Sequence, residues 1–364
     1  MSKQKPETTN PPAAPIDTEK PKHFDKYSAL TLDELFDQRD EPATEPVPPR
    51  SDAHEYTFEG NVEAVSSCDS VGSMVCIRAT GDLTPVHPIA FGGERLSVEE
   101  LISISETVRT PQAFRPKWLD VMTAPRIRPR LLDINIPGVI KPLIFESPGS
   151  EWPWSAIGKV FITRRGQQPK VGSGVLVGPR LLLTASHAMP WGTDDSSVRF
   201  VPSYRNGNDP RFGDAYVENW RGVRNEDDVT GLDYVICKLN WRIGDRTGWL
   251  GSEWHSDEDW YYNDPWISVG YPRSEPNGGE RPSIEIPVWV QDIDNEADGL
   301  EIETHKFALG GWSGGPLWGW RGGEPKVVGI ESGFEKDFLD PTRTVFAGGQ
   351  HLVNLVRYGW ANWN

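Results

Sequence analysis

Three side chains of this 364-residue sequence are suited, together, to nucleophilic catalysis. His187 ends the run Thr-Ala-Ser-His, Asp233 precedes the apolar run Tyr-Val-Ile-Cys, and Ser313 lies within Gly-Gly-Trp-Ser-Gly-Gly-Pro. A serine hydroxyl becomes a strong nucleophile when an imidazole takes its proton, and a carboxylate fixes the tautomer of that imidazole. We therefore predict that Ser313 attacks, that His187 acts as general base and then acid, and that Asp233 orients His187.

The glycines around Ser313 meet a second requirement of acyl transfer. An attacked carbonyl develops negative charge on its oxygen, and two preorganised backbone N–H groups stabilise that charge. Because small residues let a tight turn aim two amides at one point, we predict that Gly311 and Ser313 supply an oxyanion hole. The expected chemistry is acyl transfer on a peptide or ester bond, and it requires no metal or organic cofactor.

Structural explanations compete with these roles. A single histidine is more often a hydrogen-bonded core residue than a base, and an aspartate ahead of a strand is often a cap. Asp227 and Asp228 are alternative carboxylates, which we interpret as solvated loop charge. The acidic run 292–299 suggests calcium, but His305 stands where a calcium loop needs a bidentate Glu, so a charged hairpin is favoured.

Short β-rich runs must position the three residues. Runs of four to eight residues recur after about residue 147, separated by Gly, Pro, Asn and Asp: 157–163, 174–177, 180–184, 233–237, 266–269, 284–290 and 326–330. Such spacing is typical of an all-β barrel or sandwich. Residues 351–363 have helical apolar spacing, and Ser97 with Glu100 has the spacing of a capping box, which predicts a helix start.

Residues 149–364 resemble the trypsin-like (chymotrypsin-fold) serine proteases, and within them the glutamyl-endopeptidase-like branch of bacteria and fungi. The resemblance rests on the order His, Asp, Ser at intervals of 46 (233 − 187) and 80 (313 − 233) residues, and on the flanks 154–160, 172–180 and 346–349. It implies an all-β fold of two six-stranded antiparallel β-barrels with a C-terminal helix. It also implies a serine endopeptidase that hydrolyses polypeptides through an acyl-enzyme intermediate.

The resemblance also aligns a substrate site, which it places at Phe307, Ala308, Glu331, Ser332 and Gly333. Ser332 is implied to lie beside the aspartate and to help hold the substrate backbone. Glu331 replaces the histidine with which that branch recognises glutamate, so glutamate specificity is not expected. A buried carboxylate would favour a substrate Lys or Arg. Phe307 favours an apolar residue instead, and Arg343 is an alternative partner for Glu331; we expect a basic preference.

Two further positions depart from the family pattern. Trp312 stands where animal trypsins have the aspartate that pairs with a freed α-amino group, so activation by that ion pair is not expected. Ala188 replaces a half-cystine, and three cysteines (Cys68, Cys76 and Cys237) cannot form a fully paired disulfide framework.

The composition limits the partners. With 37 basic and 53 acidic residues the formal net charge is −16, which argues against nucleic acid or an anionic membrane as a main partner. No run approaches the roughly 20 apolar residues of a transmembrane helix, and the first residues lack the apolar stretch of a secretory signal. We expect a soluble protein, with an intracellular location favoured over an extracellular one.

The chain divides into three parts by composition. Residues 1–50 predict a disordered Pro-rich tail, 51–148 a mixed N-terminal extension that acts as pro-region or adaptor, and 149–364 the protease domain. We expect residues 51–148 to contact the protease domain and to restrain or position it. A catalytically silent protein-binding module on the same fold is the alternative to an enzyme.

Overall fold

A computed structural model describes residues 56–64, 77–85, 93–105, 108–121, 129–131, 143–146, 149–164, 169–193, 196–223, 230–263, 265–273, 279–296, 299–306, 310–334 and 343–364. The predicted tail 1–50, Cys68 and Cys76 lie outside these residues. The helices within them are α1 (Val98–Ser105), α2 (Gly244–Thr247), α3 (Asp259–Tyr262) and α4 (Gly349–Trp363), with a 3-10 helix at Trp154–Ala156. In the described parts of the chain, no helix has both the length and the apolar character needed to cross a bilayer.

The strands are β1 (Tyr56–Ala64), β2 (Ile77–Pro85), β3 (Gly93–Arg95), β4 (Pro129–Leu131), β5 (Leu143–Glu146), β6 (Ile157–Arg164), β7 (Lys170–Gly178), β8 (Leu181–Thr184), β9 (Ser196–Pro202), β10 (Ala215–Gly222), β11 (Val235–Leu239), β12 (Gly251–Ser252), β13 (Trp266–Gly270), β14 (Ser283–Val288), β15 (Val290–Glu296), β16 (Gly299–Thr304), β17 (Pro316–Arg321), β18 (Glu324–Phe334) and β19 (Thr344–Gly348). Strands β1 and β2 form a two-stranded antiparallel sheet of their own.

Six strands of the first sheet close into a barrel. They are hydrogen-bonded in the order β11-β8-β7-β6-β9-β10, and β10 pairs back onto β11, all antiparallel. Apolar side chains such as those of Val160, Leu176, Leu183 and Phe200 are fully buried within it. The predicted six-stranded antiparallel barrel is confirmed for this half of the domain.

The second sheet forms a half-barrel. Its order is β15-β16-β19-β18-β17-β13-β14, and Trp289 alone separates β14 from β15, so the two ends of this path are consecutive in the chain. The hairpin of β15 and β16 spans the acidic run, as predicted. With α4 closing the chain, the architecture is the double barrel of the chymotrypsin fold that the resemblance implied.

Strands from the N-terminal extension enlarge both sheets, which the prediction of two six-stranded barrels did not include. β10 pairs with β9 only at Ala215 and Tyr216. At the other end of β10, residues 220–222 pair in parallel with β3. β5 pairs with β14, and β4 pairs with β5. A free sheet edge presents unpaired N–H and C=O groups, and these short strands satisfy them.

Tryptophans connect the two halves. The ring of Trp154, just ahead of β6, packs edge-on against Trp318 of β17 with centroids 5.3 Å apart, and Trp152 packs in the same way on Trp320 at 5.8 Å. Each such pair contributes roughly 0.5–1.5 kcal/mol beyond the area that it buries. The segment that leads into β6 is therefore packed against β17 of the second sheet.

Candidate active site

Pairing of β8 with β11 brings His187 and Asp233 together. Thr184 pairs with Val235, and two more residues of this antiparallel register place Asp233 opposite Ser186, next to His187. The backbone N–H of His187 donates to Asp233 Oδ1 at 2.8 Å, and its Nδ1 lies 2.6 Å from Oδ2. The register thus turns an interval of 46 residues (233 − 187) into direct contact.

Asp233 is buried, whereas His187 is partly open to solvent. Their side chains are 2% and 27% exposed. Ser332 Oγ donates a third hydrogen bond to the carboxylate, to Oδ2 at 2.5 Å. Because an ionised carboxylate only accepts, Nδ1 of His187 carries the proton, and Nε2 is left as an acceptor for a hydroxyl.

The turn that carries Ser313 is hydrogen-bonded to Glu331 of β18, and the next residue of that strand, Ser332, contacts Asp233. Pro316 begins β17 opposite Ile330, and beyond that pair the N–H of Glu331 donates to Gly315 O at 2.9 Å. The N–H of Gly314 donates to Glu331 O at 2.8 Å. Since Ser332 follows Glu331 and contacts Asp233, the serine turn and the aspartate share one support.

Gly314 sets the turn against the end of β8. Its φ is +86°, and a Cβ there would lie 2.2 Å from Ser173 O and 2.3 Å from Thr184 Oγ1. Only glycine combines that backbone conformation with such a close approach. The residue after Ser313 therefore touches the strand that leads, three residues later, to His187.

Two amides of the serine turn are directed away from their neighbours. Gly310 O accepts from the N–H of Arg273 at 2.9 Å, and Trp312 O accepts from the N–H of Gly315 at 2.8 Å. In a planar trans peptide the next N–H points opposite to the carbonyl, so the amides of Gly311 and Ser313 point away from these anchors. Neither amide donates to another group in the described part of the chain. Two N–H groups that no described group accepts from are one of the requirements of an oxyanion hole.

Ser173 on β7 connects the first barrel to this turn, and the sequence analysis assigned it no role. Its side chain is fully buried; Oγ donates to Gly311 O at 2.9 Å and accepts from the N–H of Tyr271 at 3.0 Å. Its own N–H donates to Ser313 O at 2.8 Å. The sequence signal was the run Gly-Ser-Gly at 172–174, where small residues allow the turn to approach β7.

The residues aligned to the substrate pocket have different outcomes. Phe307 and Ala308 lie outside the described residues, while Ser332 and Gly333 lie at the end of β18. The carboxylate of Glu331 is 2.7 Å from the ammonium of Lys306, and both side chains are buried. Burial raises the pKa of Glu331, and Lys306 opposes that rise. A cation of the protein therefore already occupies the place that the sequence analysis gave to a substrate Lys or Arg.

Arg343, the alternative partner considered for Glu331, makes other contacts. Its guanidinium lies 3.2 Å from Asp292 Oδ2 and also pairs with Glu303. Asp227 and Asp228 lie outside the described residues. Across the described ranges, no group of three or more His, Cys, Asp or Glu side chains is arranged to hold a metal ion.

No protein-family model matches the chain, and no curated protein matches it in sequence. Among solved structures, the chain is similar to the protease Anisep from Arthrobacter nicotinovorans, with 20% identity, a TM-score of 0.46, and coverage of 58% of this chain and 98% of that one. It is also similar to a Glu endopeptidase, with 15% identity, a TM-score of 0.49, and coverage of 60% and 97%. A thermostable serine protease, AL20, from an extremophilic microorganism has 20% identity, a TM-score of 0.44, and coverage of 57% and 98%.

Proposed function

We propose that the protein is a serine endopeptidase that hydrolyses polypeptides through an acyl-enzyme intermediate on Ser313. The observation that carries the proposal is the buried Asp233, which accepts two hydrogen bonds from His187 beside a serine turn attached to the same support. An aspartate that served only as a strand cap would not need to orient a partly exposed imidazole.

The proposed reaction uses each of these groups once per half-reaction. Nε2 of His187 takes the proton of Ser313 as Oγ attacks the carbonyl carbon, and the N–H groups of Gly311 and Ser313 stabilise the oxyanion. The imidazolium then gives its proton to the leaving amine. Water, deprotonated by the same Nε2, then attacks the ester carbonyl, and the imidazolium returns that proton to Ser313 Oγ as the ester C–O bond breaks and the acid product leaves. No metal or organic cofactor takes part.

Beyond Ile330, one edge of β18 pairs with no other described strand, which suggests how a peptide would bind. Gly333 and Phe334 pair with Val345 and Thr344 of β19 on one side, whereas β17 begins opposite Ile330. An extended peptide added at that edge would place its backbone along Ser332 and Gly333. In the proposal Phe307, Ala308 and Glu331 border the pocket. The enzyme is expected to have no preference for basic substrate side chains, because Lys306 already neutralises the Glu331 carboxylate.

For the N-terminal extension we propose a positioning role. Its strand β3 pairs with β10 in the first barrel, and its strand β5 pairs with β14 in the half-barrel. Its Phe114 stacks on Trp249, which lies between β11 and β12 in the chain. A segment attached to both halves fixes their relative placement, on which the approach of the serine turn to the end of β8 depends.

Labelling with a fluorophosphonate tests the assignment. The wild-type protein is expected to form a covalent adduct at Ser313, Ser313→Ala to form none, and His187→Ala to react at least a thousandfold more slowly. Ser252→Ala is the matched control: its buried Oγ has no hydrogen-bond partner among the described residues, so labelling should be unchanged. A wild-type protein that binds peptides but neither labels nor cleaves them would instead support the silent binding module.

A further inference from the structure

Three ionisable side chains lie inside the half-barrel, behind the turn that carries Ser313. Lys306, Glu331 and Glu285 are each at most 3% exposed. We infer that Lys306 is a positioning residue for Ser313, because its ammonium group fixes the chain on both sides of that serine. The inference rests on the proposed function.

On the N-terminal side, Lys306 holds Trp312. Its ammonium nitrogen lies 3.8 Å from the centroid of the Trp312 ring, a close cation–π contact in a site closed to water. The indole N–H of Trp312 donates to Ser268 Oγ at 3.0 Å, and a Cβ on Gly270 would lie 2.3 Å from the ring. The side chain directly before Ser313 is therefore held by three groups: the ammonium over its ring face, the hydroxyl that accepts from its N–H, and the glycine backbone packed against the ring.

On the C-terminal side, Lys306 acts through Glu331. The same ammonium pairs with the Glu331 carboxylate at 2.7 Å. The backbone of Glu331 in turn exchanges hydrogen bonds with Gly314 and Gly315, the two residues after Ser313. One cation thus links the residue before the nucleophile to the strand that holds the residues after it.

Stability alone does not account for a lysine at this place. Desolvating an ammonium and a carboxylate costs several kcal/mol, and well-packed apolar residues of similar volume are often as stable or more so. An apolar pair would fill the space, but it would not hold the Trp312 ring and the Glu331 carboxylate at once. Lys306 touches neither substrate nor the reacting atoms, so its effect must pass through the geometry of the turn.

The test compares a single and a double variant in saturation labelling with a fluorophosphonate. Lys306→Met leaves Glu331 unpaired in the interior, so it should lower both the melting temperature and the rate of adduct formation. Adding Glu331→Leu removes that unpaired charge and should restore the melting temperature. We expect the double variant to keep a maximal labelling rate at least tenfold below wild type, with little change in the reagent concentration that gives half that rate.

Lys159→Met is the matched control. Lys159 is also a buried lysine, but it lies in the first barrel, where it donates to Gly279 O at 2.8 Å. Its loss should lower the melting temperature without slowing the maximal labelling rate. A double variant that folds and labels at the wild-type rate would overturn the role of Lys306 and leave the proposed function standing. A wild-type protein that never labels would overturn both.

Discussion

Ser173 acts at the scale of a single residue, through one hydroxyl that spans two parts of the molecule. It accepts from Tyr271 in the segment after β13 and donates to Gly311 O in the serine turn. The Gly311 N–H lies in the same peptide plane as Gly310 O, which accepts from Arg273, and Ser173 holds the next plane through Gly311 O. With the planes on both sides of the Gly311 Cα held, the turn cannot rotate freely there. We therefore expect Ser173 to keep the Gly311 N–H directed at the oxyanion.

Ser173→Ala should lower the maximal rate of acylation about tenfold, equivalent to about 1.4 kcal/mol of transition-state stabilisation. The Michaelis constant for a peptide should change little, because the hydroxyl does not face the substrate. Steady-state and single-turnover cleavage measure the two separately. Ser155→Ala is the control, since it removes another buried hydroxyl, which donates to Thr247 O at 2.6 Å. Equal loss of rate in both variants would contradict the assignment.

The chemistry of individual residues was predictable only where local sequence carries it. His187, Asp233 and Ser313 each stand in a distinctive run, and the requirements of acyl transfer connect them. Lys306 and Glu331 have no such signal, because they are 25 residues apart (331 − 306) and meet only through the pairing of β16, β19 and β18. A substrate cation was therefore predicted at the place where the fold supplies a lysine.

At the scale of elements, β14 carries a carboxyl group into the interior of the half-barrel. Burial raises the pKa of Glu285 from 4.5 to about 8; Lys306 opposes this rise and Glu331 adds to it. Between those two values the folded protein binds this proton and the unfolded chain does not. The free energy of unfolding contributed by Glu285 therefore falls as the pH rises from about 4.5 to about 8, and is constant above it.

Glu285→Gln should remove that dependence. The variant and the wild type should have similar stability near pH 4.5, and the variant should be more stable near pH 9, by on the order of a few kcal/mol. Urea unfolding at a series of pH values measures the difference directly. The comparison cancels the contributions of the groups that do not interact with Glu285. A difference that is independent of pH would show that Glu285 titrates alike in the folded and unfolded states.

Part of the strand set was predictable: no β-rich run was assigned at β9, β10, β16, β17 or β19, nor at the shorter strands of the extension. The β-rich runs became β6 to β8, β11, β13 to β15 and β18, and the capping box is present at the start of α1, where Ser97 N–H donates to Glu100 at 2.7 Å and Glu100 N–H to Ser97 at 3.2 Å. β3 and β5 have three and four residues, too few to display an alternating pattern. They are strands because β10 and β14 offer them an edge, which is a property of the tertiary structure.

At the scale of the whole molecule, the N-terminal extension is part of both halves. Besides β3 and β5, it contributes α1, which packs on α4, and Thr110, whose hydroxyl lies 2.9 Å from Arg357 of that helix. Removing the extension would expose the edges of β10 and β14 and one face of α4. Such a loss of buried contacts lowers stability, whatever the segment does for regulation.

A chain beginning at Ser147 should therefore melt at a lower temperature than the full chain, by roughly 2–4 °C for each kcal/mol lost. Its fluorophosphonate labelling at 25 °C should be no faster than that of the full chain. A chain beginning at Ser51 retains every described strand and is the control. Faster labelling of the shorter chain, with an unchanged melting temperature, would show that the extension is a removable cover.

The attachment of the extension also determines the order in which the molecule can be assembled during synthesis. β3 emerges from the ribosome 127 residues before the part of β10 that it pairs with (220 − 93), and β5 emerges 137 residues before β14 (283 − 146). β3 remains without its partner while β6 to β9 are made, and β5 remains without its partner while the whole first barrel is made. Contacts between segments so distant in the chain form slowly, because the intervening loop must be closed first. The first barrel has its full set of strands, β3 included, once residue 239 has emerged, whereas the second sheet needs β19, which ends at residue 348. The second sheet, which contains the early strand β5, is therefore the last part of the molecule to be completed.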